Sequence, residues 1–145
     1  MAMKIEVLDD EGEILKTYVV PEDKEQFEGV QWEGAYLYGA QLSGANFKDA
    51  ELYSTGFFMA NLDGANFENA GLQGVNLIEA SCIGTNFRNA NLGKDNLGGS
   101  SQLQGANLSK AILNRANLEG AEYNDETIFP KDFHPKSHGM VKIDD

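Results

Sequence analysis

Cysteine occurs once in these 145 residues, at position 82, so no disulfide can form within the chain. That usage suits a reducing compartment. Long hydrophobic runs are missing too: none approaches the ~18 residues that a membrane span requires. The opening MAMKIEVLDDEGE has no uninterrupted apolar core of the kind a signal peptide carries. Bases are scarce, 11 against 23 acids, and the net charge of −12 repels nucleic acid and anionic membranes while attracting basic partners. Neither a nucleotide-binding glycine loop, nor a Ser-His-Asp arrangement, nor zinc-ligand spacing can be found. The expectation is a soluble cytoplasmic protein that is not an enzyme, needs no cofactor or metal, and binds neither nucleic acid nor membrane directly.

The charge is unevenly placed. Residues 1–30 hold nine acids and three bases, residues 31–128 eleven and five, and residues 129–145 three of each. Half of the acidic excess therefore sits in a short N-terminal segment.

What the chain does have is repetition. GANFKDAEL, residues 44–52, returns as GANFENAGL at 64–72 and as GTNFRNANL at 84–92, a spacing of twenty. Inside it runs a finer beat of five: large apolar centres step by five from Phe27 to Leu97, then resume at Leu103, Leu108, Leu113, Leu118, Tyr123 and Ile128. Two residues before each centre there is usually a small residue, most often Ala. A period of five fits neither an amphipathic helix nor a simple alternating strand. It fits a short extended side followed by a corner, with the centre and the residue two before it pointing to one face. Four such sides make one turn, so residues twenty apart lie above one another at ~4.8 Å. Phe27, Phe47, Phe67 and Phe87 form one such column, which the reading continues through Leu108 and Ile128. A second holds Trp32, Leu52, Leu72, Leu92 and Leu113; a third Leu37, Phe57, Leu77, Leu97 and Leu118; a fourth Leu42, Leu62, Cys82, Leu103 and Tyr123.

The Ala-Asn-Leu/Phe beat resembles the pentapeptide-repeat family, and more narrowly its short cyanobacterial-type members of unassigned function, whose tails are similar to TIFPKDFHP here. The resemblance spans about residues 25–128 with twenty-one centres. It implies an all-β fold: a right-handed quadrilateral parallel β-helix of about five coils, a solid rod filled by side chains.

Three segments are expected. Residues 1–24 form an N-terminal β-hairpin cap, with KIEVL and EILKTYVV as its strands and Pro21 closing it. Residues 25–129 form the β-helix. Residues 130–145 are an irregular tail whose Phe129 and Phe133 neighbourhood covers the last coil before residues 139–145 fray. One extra residue is expected in LGGSSQL, between Leu97 and Leu103, as a bulge that lets Asp95 bond local backbone.

Several groups resemble sites and are set aside. His134 and His138 lie four apart without further ligands, where structural zinc takes four. Cys82 sits in an inward column and reads as a buried, inert thiol. Asp9, Asp10, Glu11 and Glu13 lack the alternating spacing of a calcium loop. Asn107-Leu108-Ser109 is a glycosylation sequon only in form.

One outward group departs from the polar surface. Tyr38, Phe58 and Ile78 follow the centres of the third column, twenty apart; Tyr36 and Met59 lie near them, Tyr53 is on the adjoining face of the same coil as Phe58, and Ile83 is around the next corner. A contiguous apolar and aromatic patch of this kind marks an interface. The hairpin, the tail, a second copy or a foreign protein could each cover it. The expected function is a non-enzymatic scaffold that binds a protein of unknown identity, or its own copy as a homodimer, through Tyr36, Tyr38, Tyr53, Phe58, Met59 and Ile78. The alternative is an acidic DNA-mimicking binder and inhibitor of DNA gyrase, as the quinolone-resistance branch of the family implies. Against it stand the short rod, ~25 Å for five coils, and the outward bases Lys48, Arg88, Lys94, Lys110 and Arg115.

Overall fold

In the computed structural model, residues 3–8, 13–20 and 27–144 are described. The acidic turn at Asp9, Asp10 and Glu11, and the closing Pro21, lie outside them. From Phe27 onward the backbone is a succession of short extended sides joined by tight turns. Parallel bridges join each side to the one twenty residues on, in four ladders: Asn46–Asn66–Asn86 on the first side, Gln31–Glu51–Gly71–Asn91 on the second, Tyr36–Gly56–Asn76 on the third and Gln41–Asn61–Ser81 on the fourth.

The five-residue unit explains this geometry position by position. The centre is buried, as is the small residue two before it: Ala45 and Phe47, Ala65 and Phe67, Ala90 and Leu92 are all essentially inaccessible. At each corner the N–H three residues after the centre returns to the centre's carbonyl, as in Ala50 N to Phe47 O at 3.0 Å. The residue two after the centre has positive φ, whether Gly64 (67°), Asn69 (60°) or Asp49 (60°). A single left-handed residue at the third place of the turn defines type II, which is why Gly, Asn and Asp recur there. Asn just before the centre braces the corner: its Oδ1 accepts the N–H two residues on, as from Lys48 to Asn46 at 3.0 Å and Glu68 to Asn66 at 2.9 Å. The corner N–H is thereby satisfied locally.

Inside, the phenylalanine column is a stack. Phe27–Phe47, Phe47–Phe67 and Phe67–Phe87 have ring centroids 4.6, 4.9 and 5.4 Å apart. Phe57 meets Phe47 and Phe67 edge-on at 6.0 and 5.7 Å. Such pairs add about 0.5–1.5 kcal/mol each beyond the area they bury. Where Thr or Ser replaces the inward Ala, its hydroxyl finds a carbonyl: Thr85 Oγ1 donates to Leu62 O at 2.7 Å and Thr55 Oγ1 to Trp32 O at 3.1 Å.

The interruption near residue 95 differs from the expectation. Leu97 is not a centre; it is 92% exposed. Asn76 bridges Gln102, Ser81 bridges Asn107, Asn86 bridges Ile112 and Asn91 bridges Asn117. The vertical step across the interruption is therefore twenty-six, and the insertion is six residues, not one. Every later centre moves by one column. Leu103 lies below Leu77 instead of Cys82, Leu108 below Cys82 instead of Phe87, Leu113 below Phe87 instead of Leu92, and Leu118 below Leu92 instead of Leu97. The physical reason is the inward position two before the centre. Asp95 cannot fill it, whereas Ser101, two before Leu103, is fully buried and its Oγ donates to Leu72 O at 3.2 Å. Asp95 instead organises the expelled loop: its Oδ1 accepts the N–H of Leu97 at 2.9 Å and of Gly99 at 2.7 Å.

A second slip occurs near the end. Ile128 bridges Asn107 and faces outward, half-exposed, so the inward position passes to Phe129.

Both termini add to the third side. Strands β1 (Met3–Leu8) and β2 (Ile14–Val20) pair antiparallel, and β1 also pairs antiparallel with β3 (Ala35–Tyr36), Glu6 lying opposite Tyr36. At the other end β4 (Glu122–Tyr123) continues the ladder and pairs parallel with β5 (Val141–Lys142). One row thus runs Thr17, Glu6, Tyr36, Gly56, Asn76, Gln102, Glu122, Val141. The tail is more regular than expected. A short 3-10 helix, Pro135–His138, ends at Gly139 with φ 76°, and Met140 is buried. Phe129 packs edge-on to Tyr123 at 5.4 Å and stacks on Phe133 at 5.2 Å, which stacks in turn on His138 at 4.5 Å.

Candidate protein-interaction face

The outward positions of the third side lie two residues apart on one extended strand, with the rows bridged one above another. Tyr36 and Tyr38 occupy both such positions in the first row. Their rings lie parallel, 2° between planes and 5.6 Å between centroids. Phe58 stands directly below Tyr38 and stacks on it at 4.8 Å. Gly56, below Tyr36, presents no side chain. Met59 follows Phe58 at the corner, and the Tyr38 hydroxyl reaches its Sδ at 4.0 Å. Ile78 is the next residue down, its carbonyl accepting the Met59 N–H at 3.0 Å.

Tyr36, Tyr38, Phe58, Met59 and Ile78 are therefore brought together. Tyr36, Tyr38 and Met59 are 47%, 51% and 51% exposed, while Phe58 and Ile78 are partly buried. The tail's strand β5 adds at the far end of the ladder, beside Glu122, away from them. Met59 stands in the left-handed region at φ 58°, where Gly or Asn is the ordinary occupant. Ser54, Glu79, Lys110 and Arg115 take the same left-handed corner place, so what sets Met59 apart is a long apolar side chain left exposed there.

Tyr53 is on the adjoining side. It lies around the corner on the second side, in a groove of about 480 Å³ with Glu33, Ser54, Gln73, Lys94, Asp95 and Asn96. A hydrogen bond to Glu51 holds its hydroxyl's pKa above the ordinary value. The six-residue loop overhangs this groove, and Ser54 Oγ lies 3.4 Å from Asp95 Oδ2. Leu97 at the loop tip is an exposed apolar residue that the repeat pattern hides; Asp95, unsuited to an inward place, is the signal for it. Ile83 is also exposed, on the fourth side.

Two of the groups set aside in the sequence have defined surroundings. Burial pushes the Cys82 thiol far above its usual range, with the Asp63 carboxylate adding to the effect. Asn107 Oδ1 is engaged by the Ser109 N–H and hydroxyl at 3.0 and 2.6 Å. Among the described residues no group of three or more His, Cys, Asp or Glu side chains is arranged to hold a metal ion, and no helix is long and apolar enough to cross a membrane.

The pentapeptide-repeat description matches this chain in eight copies, over residues 26–55, 57–93 and 101–122. Among solved structures, a pentapeptide-repeat protein from the thylakoid lumen of Arabidopsis thaliana shares 31% identity over 72% of either chain, with a TM-score of 0.57. One from Nostoc PCC 7120 shares 28% identity over 78% of this chain and 84% of its own, with a TM-score of 0.44. A plasmid-mediated fluoroquinolone resistance protein shares 15% over 83% and 88%, with a TM-score of 0.29. No curated protein sequence matches.

Proposed function

The chain belongs to the pentapeptide-repeat family, whose fold is a right-handed β-helix, and from that premise we propose that it is a non-catalytic scaffold that binds another protein through its third side. The coils number about five, and the β1–β2 hairpin caps the first of them. The observation that carries this reading is the exposed stack of Tyr36, Tyr38 and Phe58 with Met59 at its corner. Aromatic and methionine side chains are enriched in interface cores, and a side already ordered by its backbone ladder costs little ordering entropy when it binds. Tyr53 belongs to the second side and is not required. The core is filled by nearly inaccessible side chains, which leaves the surface as the place where function resides. A cytoplasmic location rests on the cysteine usage, while the similar plant protein is from the thylakoid lumen; fractionation decides between compartments. The test is the double variant Phe58→Ser with Ile78→Ser, both outward, checked for folding by circular dichroism. It is expected to lose partner capture or self-association. Association equal to wild type would remove the reading.

A further inference from the structure

The third side changes character half-way down. Above Ile78 it presents Tyr36, Tyr38, Phe58 and Met59; below, the ladder continues through partly buried Gln104 and buried Asn124, with Glu79, Glu122 and Glu126 beside them. Ile78 belongs to both halves, since it also lines a groove of about 460 Å³ with Glu79, Gln104, Gly105, Asn124 and Glu126. Neither Glu79 nor Glu126 forms an ion pair among the described residues, and Lys142, at the foot of this side, is engaged by Asp125 at 2.6 Å. The repeat's bases lie elsewhere: Lys48, Arg88 and Arg115 along the first side, Lys94 in the loop, Lys110 at the corner after the fourth side. Gln104 supplies a further mark. Its Nε2 donates to Glu122 Oε1 at 3.0 Å, which fixes the amide's orientation, and its Oε1 is left buried without a donor among the described residues.

We propose that the partner segment bound on this side is basic as well as apolar. It is an extended stretch that seats an aromatic or large aliphatic side chain on Tyr38, Phe58 and Ile78, and a Lys or Arg in the groove at Glu79 and Glu126. The inference rests on the interaction reading above and names the partner's chemistry. Carboxylates of one sign beside an apolar platform select a cation and reject acidic segments. A Lys or Arg also brings several N–H donors toward an acceptor that has none. The Phe58 and Gln104 rows are two steps apart, ~10 Å, which an extended chain covers in about three residues. The anchor and the base should therefore be about three residues apart.

A library of random short peptides, selected on the wild-type protein and counter-selected on Phe58→Ser, tests this. Enriched sequences should carry an aromatic or aliphatic anchor with Lys or Arg about three residues away. The best of them, measured by fluorescence anisotropy, should bind about tenfold more weakly to the Glu79→Gln/Glu126→Gln variant, and more weakly at raised salt. Enriched peptides that lack a base, or that bind the double variant as well as wild type, overturn the inference and leave the interaction reading standing. A concentration-dependent dimer abolished by Phe58→Ser would assign the face to a second copy and also overturn it. No peptide distinguishing wild type from Phe58→Ser would sink both.

Discussion

A single position in the unit of five decides what a residue is worth. The same leucine is core at one register and solvent-exposed at another, and the pair Leu97 and Leu103 separates the two cases. Leu103→Ala opens a cavity in a close-packed interior and should cost about 2–5 kcal/mol, whereas Leu97→Ala should stay within about 0.5 kcal/mol. Urea unfolding of the two variants checks this; equal losses would contradict the register. Phe67, stacked between Phe47 and Phe87 and met edge-on by Phe57, should be costlier still, about 3–5 kcal/mol on truncation to alanine. Cys82 is held among buried side chains with its thiol pushed strongly toward the protonated form. It should resist thiol reagents at mildly alkaline pH until denaturant is added, and rapid labelling of the folded protein would contradict that placement.

The elements are the sides, and the loop of residues 94–99 is the largest break between them among the described residues. Removing Lys94 to Gly99 joins Leu92-Gly93 to Ser100-Ser101-Gln102-Leu103, which restores a five-residue step from Leu92 to Leu103. The deletion variant should fold with unchanged circular dichroism and a stability within about 1 kcal/mol of wild type, since shortening a loop alters closure entropy only slightly. If only one residue were extra, the same deletion would also remove a whole five-residue side with Leu97 as its buried centre, and the stability lost would be well beyond that. Asp95 gives the loop a pH response. Its carboxylate is held below the ordinary value by the Gly99 N–H first and the Leu97 N–H second. A lowered folded pKa means that the loop's order is present above the unfolded value of ~3.9 and is lost as pH falls through the lower folded midpoint. Carboxyl NMR titration should give that lowered midpoint, with amide exchange at Leu97 and Gly99 quickening below it. Most of this level is legible in the residues. The beat of five, the spacing of twenty and the inward alanines fix the sides and columns, because each has one steric meaning. The size of the insertion is not, because Leu97 falls five after Leu92 by coincidence and hides a loop inside the rhythm. Asp95, in a place that needs a small apolar side chain, marks the break but not its length. Tyr53 shares a coil with Phe58 but follows the centre one side earlier, so the beat of five by itself places it on the adjoining side, across the corner at Ser54.

The whole molecule is a rod whose third side is extended by both chain ends, from β2 and β1 to β5. Both termini thus reinforce the side that carries the aromatic stack. The first side is different in kind: Lys48 lies 3.8 Å from Glu68, and Arg88 follows on the same face. An evenly acidic surface, which phosphate mimicry demands, is absent there. The protein should leave gyrase supercoiling unaffected at equimolar ratio, and strong inhibition would reverse the ranking of the two functions. The claim on which the rest depends is that the third side meets another protein. A photoreactive benzophenone phenylalanine placed at Tyr38, compared with one placed at Arg88 on the opposite side, tests it in cells. The expected result is a discrete cross-linked protein from position 38 and none from position 88. Cross-links confined to the chain itself, or the same products from both positions, would contradict it.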